Sequence, residues 1–195
     1  MTPALAEKPV LTREDYLEME AAAEYKSEYY GGEVFAMTGG TIHHSQIIAN
    51  LIRRVGETLD ETDCRLFESN MKLEVASENA FMYPDVMVVC GPVVPAGNTT
   101  HAITNPMVII EVLSPSTESF DRGKKFTYYQ TVKSLREYIL VSQEEPQVET
   151  FFRQDASHWL YTVAKGLDAV IPIQSLEREL KLSDIYLKVD WDQGF

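Results

Sequence analysis

The chain has 195 residues, enough for one hydrophobic core and little more. Hydrophobic residues make up 45% and charged residues 24%, values that exclude a disordered or fibrous chain. Against 30 Asp plus Glu stand 17 Lys plus Arg, and the net −13 excludes a broadly basic coat for nucleic acid while allowing a small basic groove.

Residues 1–10 read as a loose tail and 11–195 as a single domain, because no Pro/Gly/Ser linker splits the chain. There is no signal-peptide pattern and no run of about 18 apolar residues, so no membrane association and a cytoplasmic location are expected. Cys64 and Cys90 are too few for a disulfide framework and read as reduced core thiols, which adds to that expectation.

Thr12 followed by Asp15 predicts a capping box and a helix to about Ala23. Gly31-Gly32 separates two β-prone segments and predicts a hairpin. Ile47, Ile48, Leu51, Ile52, Val55 and Leu59 recur at helical spacing and predict a helix over 43–60 with one buried face. Strands are expected at 64–75, broken near Asn70, then at 83–90 and 107–113. A helix follows from Asp121 to about Val132, then a strand at 137–141 and a strand pair at 148–153 and 159–164. This order predicts an α/β or α+β domain with a central mixed sheet and flanking helices, extended by an N-terminal helix and hairpin.

Most acids sit in polar stretches, but Asp85 lies in YPDVMVV and Glu111 in MVIIEVL. A carboxylate in a strand apolar on both faces is costly if buried and unpaired, so it needs a cation or a set of donors. A structural Lys or Arg partner would suffice for either alone. Two such acids on consecutive strands can instead face each other and share Mg²⁺ or Mn²⁺, which accept one or two carboxylates with waters and phosphate oxygens.

Pro84-Asp85 and Glu111-Val112-Leu113 resemble the PD…(D/E)xK signature of restriction-endonuclease-like nucleases. The longer series EYKSEYYGGEVFAMTGGTIHHSQI, YPDVMVVC, EVLSPST, DRGKK and SLREYILV resembles the bacterial Uma-two family within that superfamily, over about Tyr16 to Tyr186. The resemblance implies a Mg²⁺-dependent DNA endonuclease in which Asp85 and Glu111 hold the metal. It implies that Lys125 replaces the strand lysine, since position 113 carries Leu113. Asn70 stands where the family's aspartate is expected. Glu28, Glu33 and His44 match further polar positions, auxiliary to the site. Dimerisation is expected only by analogy with two-strand cleavage.

Residues 121–137 hold five cations, Arg122, Lys124, Lys125, Lys133 and Arg136, against Asp121 and Glu137, a local +3 in a chain that is otherwise −16. Such a run suits a solvated face, or a rim for DNA phosphates with weak, salt-sensitive affinity. A 100° helical step places Lys125 inside the apolar face of Phe126, Tyr129 and Val132, and Lys124 almost opposite. His101 and His158 have no zinc-ligand spacing with the cysteines. Ser114, Ser116 and Thr117 around Pro115 read as a turn. The competing readings are a nuclease-fold binding protein without turnover and a metal-dependent hydrolase of small phosphorylated molecules. A carboxylate-pair glycosidase is disfavoured by the short chain and the lack of an aromatic sugar platform.

Overall fold

In the computed structural model, which describes residues 10–37 and 39–191, helix α1 (Arg13–Ala22) opens on the expected capping box. The Thr12 hydroxyl accepts from the Asp15 amide at 3.1 Å, and the Asp15 carboxylate accepts from the Thr12 amide at 3.0 Å. The tail expected at 1–10 lies, apart from Val10, outside the described residues. Strands β1 (Ser27–Tyr30) and β2 (Glu33–Ala36) form the hairpin. Its glycines have φ of +63° and +82°, values that a tight primed turn needs and side chains resist.

Helix α2 (Ile42–Leu59) is capped by Thr41 and buries Ile47, Leu51, Val55 and Leu59. Each such side chain contributes about 1.5–3 kcal/mol of transfer free energy. The remaining strands are β3 (Cys64–Glu68), β4 (Lys72–Val75), β5 (Ala80–Met82), β6 (Val86–Cys90), β7 (Ala102–Ile103) and β8 (Val108–Leu113). After a helical crossover come β9 (Glu137–Ser142), β10 (Gln147–Arg153), β11 (Trp159–Lys165), β12 (Val170–Ile173) and β13 (Arg178–Lys181), closed by α5 (Leu182–Ile185).

The central sheet runs β11-β10-β9-β8-β6-β3, with β8 and β9 parallel and the other pairs antiparallel. The mixed sheet and α+β class therefore stand. One face, with Val86, Val88, Val108, Ile110, Val112, Ile139 and Val141, packs on α2, β12, β13 and α5. The other face, with Met87, Val89, Ile109, Leu113, Tyr138 and Leu140, packs on Tyr129 of the crossover and on a second sheet, β2-β1-β5-β4-β7. In that second sheet Tyr29 and Phe81 meet Tyr16 of α1, whose ring stacks on theirs at 5.0 and 5.4 Å.

The second sheet departs from the sequence expectation in a way that makes the site. The segment expected over 64–75 does break near Asn70, into β3 and β4, but the two belong to different sheets. The strand expected over 83–90 begins only at Val86 as β6, while Tyr83-Pro84-Asp85 crosses to it from β5 of the other sheet. Pro84 lacks the amide a ladder needs, so pairing breaks there. Alternation alone cannot show that a strand changes sheets.

The cysteine expectation is corrected. Cys64 and Cys90 are cross-strand partners in the β3–β6 pair and are joined by a disulfide, with no free cysteine among the described residues. A separation of 26 residues says nothing of register, so linear sequence could not reveal the pairing. The thiol argument for a reducing compartment is thereby removed. No helix among the described residues is long and apolar enough to cross a membrane.

Candidate active site

Asp85 sits at the sheet crossing, one residue before β6, and Glu111 sits in β8 next to it. Val86 and Val88 face α2 while Met87 and Val89 face the second sheet. Period-two alternation therefore puts Asp85 on the second-sheet side, with Ile109, Glu111 and Leu113. The two acids bond across the strands: the Val112 amide donates to Asp85 Oδ2 at 2.7 Å, and the Asp85 amide donates to Glu111 Oε2 at 3.4 Å.

The crossover from β8 to β9 supplies the cation. It comprises α3 (Glu118–Phe120), a π-helical turn over Asp121–Lys125 and α4 (Phe126–Gln130). Lys125 is buried and Lys124 exposed, the orientation that helical phasing predicts. Lys125 Nζ lies 2.9 Å from Glu111 Oε1, 3.3 Å from Asp121 Oδ1 and 3.6 Å from Glu28 Oε1. Tyr129, one turn on, donates its hydroxyl to Glu111 Oε1 at 2.9 Å. Glu28 accepts from the Tyr83 amide at 3.0 Å, which ties β1 to the sheet crossing. Leu113, on Glu111's face where a strand lysine was expected, is buried in apolar packing.

His44 enters from the first turn of α2, with Nε2 at 3.5 Å from Asp85 Oδ2. Gly40 allows this approach, since a Cβ there would stand 2.6 Å from His44 Nδ1. The Thr41 hydroxyl accepts from the His44 amide at 3.1 Å and donates to Gln143 Oε1 at 2.5 Å, which joins the helix start to the end of β9. Together these residues line a cleft of about 470 Å³, walled by Tyr30, Phe35 and Phe120 and by the Ser114–Thr117 turn. The three rings form a column, with Tyr30 stacked on Phe35 at 4.1 Å and on Phe120 at 4.8 Å.

Burial and neighbouring charges together set the electrostatics. Burial pushes the Glu111 carboxyl up to about 8, with Asp85 and Asp121 adding to the rise and Lys125 opposing it. Burial would lower the Lys125 ammonium, yet Glu111, Glu28 and Asp121 together hold it well above its usual range. Burial also works against a charged His44, but the Asp85 carboxylate outweighs it and raises the imidazole. Asp121 Oδ1 is buried without a hydrogen bond. Among the described residues no group of three or more His, Cys, Asp or Glu side chains forms a ready-made cation cage. The Asp85–Glu111 pair still offers two hard oxygen ligands, the number that Mg²⁺ or Mn²⁺ needs when water completes its shell. The donor chemistry therefore fits such an ion.

Other expected residues lie elsewhere. Glu33, beside the hairpin turn, is exposed and does not line the cleft. Arg122 donates two parallel bonds to Glu149, at 2.7 and 2.8 Å, and a third to Glu118 at 2.7 Å, so it clamps the crossover to β10. Lys124 Nζ lies 5.5 Å from the ring centres of both Tyr30 and Tyr128, at the cleft's aromatic wall. Lys133 and Arg136 are exposed near Met107, whose carbonyl accepts from the Arg136 amide at 2.8 Å. Four residues of strand, about 13 Å, separate Met107 from Glu111. The five cations thus do not gather into one rim. Glu137 is also buried, and its carboxylate accepts from the Gln174 and Ser175 amides and the Ser175 hydroxyl.

Sequence reasoning missed Asp121 and Tyr129. Both were reachable: Asp121 precedes Lys125 by four residues and Tyr129 follows it by four, the spacing that aligns side chains on a helix. In the sequence Asp121 reads as one of a run of solvated charges and Tyr129 as part of the apolar face.

A family model described as "Putative restriction endonuclease", Uma2, matches residues 13–184. Two proteins of Synechocystis sp. are similar to the chain. "Uncharacterized protein slr1290" is 37% identical over 152 residues, covering 78% of this chain and 79% of its own length. "Uncharacterized protein sll1609" is 35% identical over 167 residues, covering 86% and 94%. Among solved structures, a protein of Anabaena variabilis titled a "putative nuclease belonging to DUF820" aligns with a TM-score of 0.74 over 90% of this chain and 97% of its own. At 18% identity that likeness establishes the fold alone. With 172 consecutive positions matched by its model, the chain belongs to the Uma2 family.

Proposed function

We propose that the chain is a nuclease that hydrolyses DNA phosphodiester bonds with Mg²⁺ or Mn²⁺ held by Asp85 and Glu111. One observation carries this reading. Four carboxylates, Glu28, Asp85, Glu111 and Asp121, crowd a cleft whose one buried ammonium, among the described residues, is Lys125. A divalent cation and a phosphate fit that excess of negative charge and hard oxygen better than a neutral ligand does. The family's description as restriction endonucleases supports the same chemistry.

When bound, the ion would polarise a phosphoryl oxygen and lower the pKa of a water. The protein's own groups do the rest. Val112 and His44 orient Asp85; Tyr129 and Lys125 orient Glu111. Lys125, with three N–H donors, is the group placed to donate to the charge that builds on the phosphoryl oxygens. The apolar column of Tyr30, Phe35 and Phe120 limits water on one side of the cleft.

A second reading, a nuclease-fold binding protein without turnover, draws on the Lys125–Glu111 contact of 2.9 Å, which already partly neutralises a proposed ligand. Plasmid incubated with Mg²⁺ or Mn²⁺ separates the two. The nuclease reading expects nicked or linear product that disappears with Asp85→Asn. Binding without product would favour the second. Calorimetry with Mn²⁺ tests the site itself: unchanged affinity in both Asp85→Asn and Glu111→Gln would remove it.

A further inference from the structure

A second cavity, of about 620 Å³, opens between α1, β4 and the loop before β7. Its walls include Leu17, Tyr25, Lys26, Lys72, Tyr83 and His101. Lys72 is the unusual member. As the first residue of β4 it is 8% exposed, and among the described residues its ammonium has neither a hydrogen bond nor an ion pair. It lies 5.7 Å from the Tyr16 ring centre and 5.8 Å from that of Tyr83. Aromatic faces partly offset the desolvation of a cation but satisfy none of its three donors. Lys26, at the same wall, is 5.6 Å from the Tyr83 ring centre and donates at 2.9 Å to the Ser69 carbonyl and also to the Asn70 amide oxygen, neither of which carries charge.

Two acids also line the cavity. Glu24 is exposed. Glu20 is committed elsewhere: it accepts from the Ser27 amide at 3.1 Å, the Ser27 hydroxyl at 2.6 Å and the Tyr83 hydroxyl at 2.7 Å. Burial draws the Lys72 ammonium below its ordinary range while Glu20 partly restores it. Among the described residues the cavity thus holds two ammoniums, neither of them in an ion pair with a carboxylate, inside a chain of net −13.

Tyr83 joins this cavity to the carboxylate cleft. It lines both, its amide bonded to Glu28 in the cleft and its hydroxyl to Glu20 in the cavity. From this geometry we infer that the cavity is a phosphoryl-anion subsite, in which Lys72 and Lys26 bind a phosphate of the strand whose neighbouring phosphate lies at Asp85 and Glu111. The inference rests on the proposed nuclease reading for its substrate. It also supplies phosphate contacts beside the cleft.

Binding in excess EDTA tests this apart from turnover. Anisotropy of a fluorescein-labelled single-stranded oligonucleotide is measured for the whole protein and for Lys72→Met and Lys26→Met. Met keeps the apolar stem over the rings, and Lys72→Arg retains the charge as a folding and charge control. Each Met variant is expected to weaken binding about 5-fold or more and to reduce the salt slope by about one contact. Lys72→Arg should restore most of the affinity.

Calorimetry with AMP and inorganic phosphate distinguishes the sources. Lys72-dependent binding of these alone also supports an anion site, but one for a free phosphorylated ligand. If all three probes bind the variants and wild type equally, or no probe binds wild type, the subsite is overturned. Oligonucleotide binding that depends on Lys72 in a protein that never cleaves would sink the nuclease reading and leave the subsite standing. Cleavage indifferent to Lys72, with unchanged affinity, would do the reverse.

Discussion

Glu111 stands in contact with a cation and a phenol, yet burial holds its proton affinity high. A group whose native pKa exceeds its unfolded value of 4.5 binds more protons when folded. Its stabilising contribution is complete below pH 4.5 and is lost as pH rises through about 8. Lys125, also raised, loses its contribution only above its ordinary 10.5. Chelated wild-type protein should therefore lose stability across neutral pH, and Glu111→Gln should flatten that decline, read from melts at several pH values. A pH-independent difference between the two proteins would show that Glu111 is ionised throughout. The same coupling predicts that Mn²⁺ binds more tightly as pH rises toward 8, with proton release seen as buffer-dependent heat. For turnover, Asp85→Asn and Glu111→Gln are each expected to cost about 10²-fold or more. Asp85 and Glu111 were legible because strands so apolar leave an acid conspicuous. Asp121 was not, because it heads a segment rich in charge and looked like one more solvated acid.

At the scale of elements, the crossover from β8 to β9 does most to shape the site. Its π turn, a form that recurs at functional sites, carries Asp121 and Lys125 inward together. A uniform 100° step already turned Lys125 inward, so the phasing was legible while the wider turn was not. Lys125→Met is expected to abolish single-turnover cleavage, and Lys124→Met, whose ammonium rests on the exposed side of Tyr30 and Tyr128, to change it only a few-fold. Removing a buried cation costs about 3–5 kcal/mol. Rates are therefore compared below the variant's own melting temperature. Equal losses from both would make the crossover's role purely structural. The hairpin and the long helix were legible because glycines and a helical period are local signals. The second sheet was not, because a strand's choice of sheet depends on partners far away in sequence.

Across the whole molecule, charge is distributed against a general grip on DNA, and position along the sheet decides which cations matter. Lys124, Lys26 and Lys72 border the cleft or the cavity beside it. Lys133 and Arg136 stand at the other end of β8, about 13 Å along the strand from Glu111. Arg122 is occupied by two carboxylates. A basic segment in sequence thus becomes three separate environments in space, which a local charge count could not anticipate. For exposed charges anchored that far along the strand, the Debye length of about 8 Å at 0.15 M salt leaves the pull on a phosphate in the cleft largely screened. The double variant Lys133→Glu, Arg136→Glu should accordingly leave oligonucleotide affinity within about 2-fold at 0.15 M salt. A modest weakening should emerge only at about 0.01 M salt, where the Debye length reaches about 30 Å. Both residues are exposed, so the melting temperature should hardly move. A large loss at 0.15 M salt would mean that bound DNA extends along the strands to the Met107 end, and that the footprint is longer than the cleft and its neighbouring cavity.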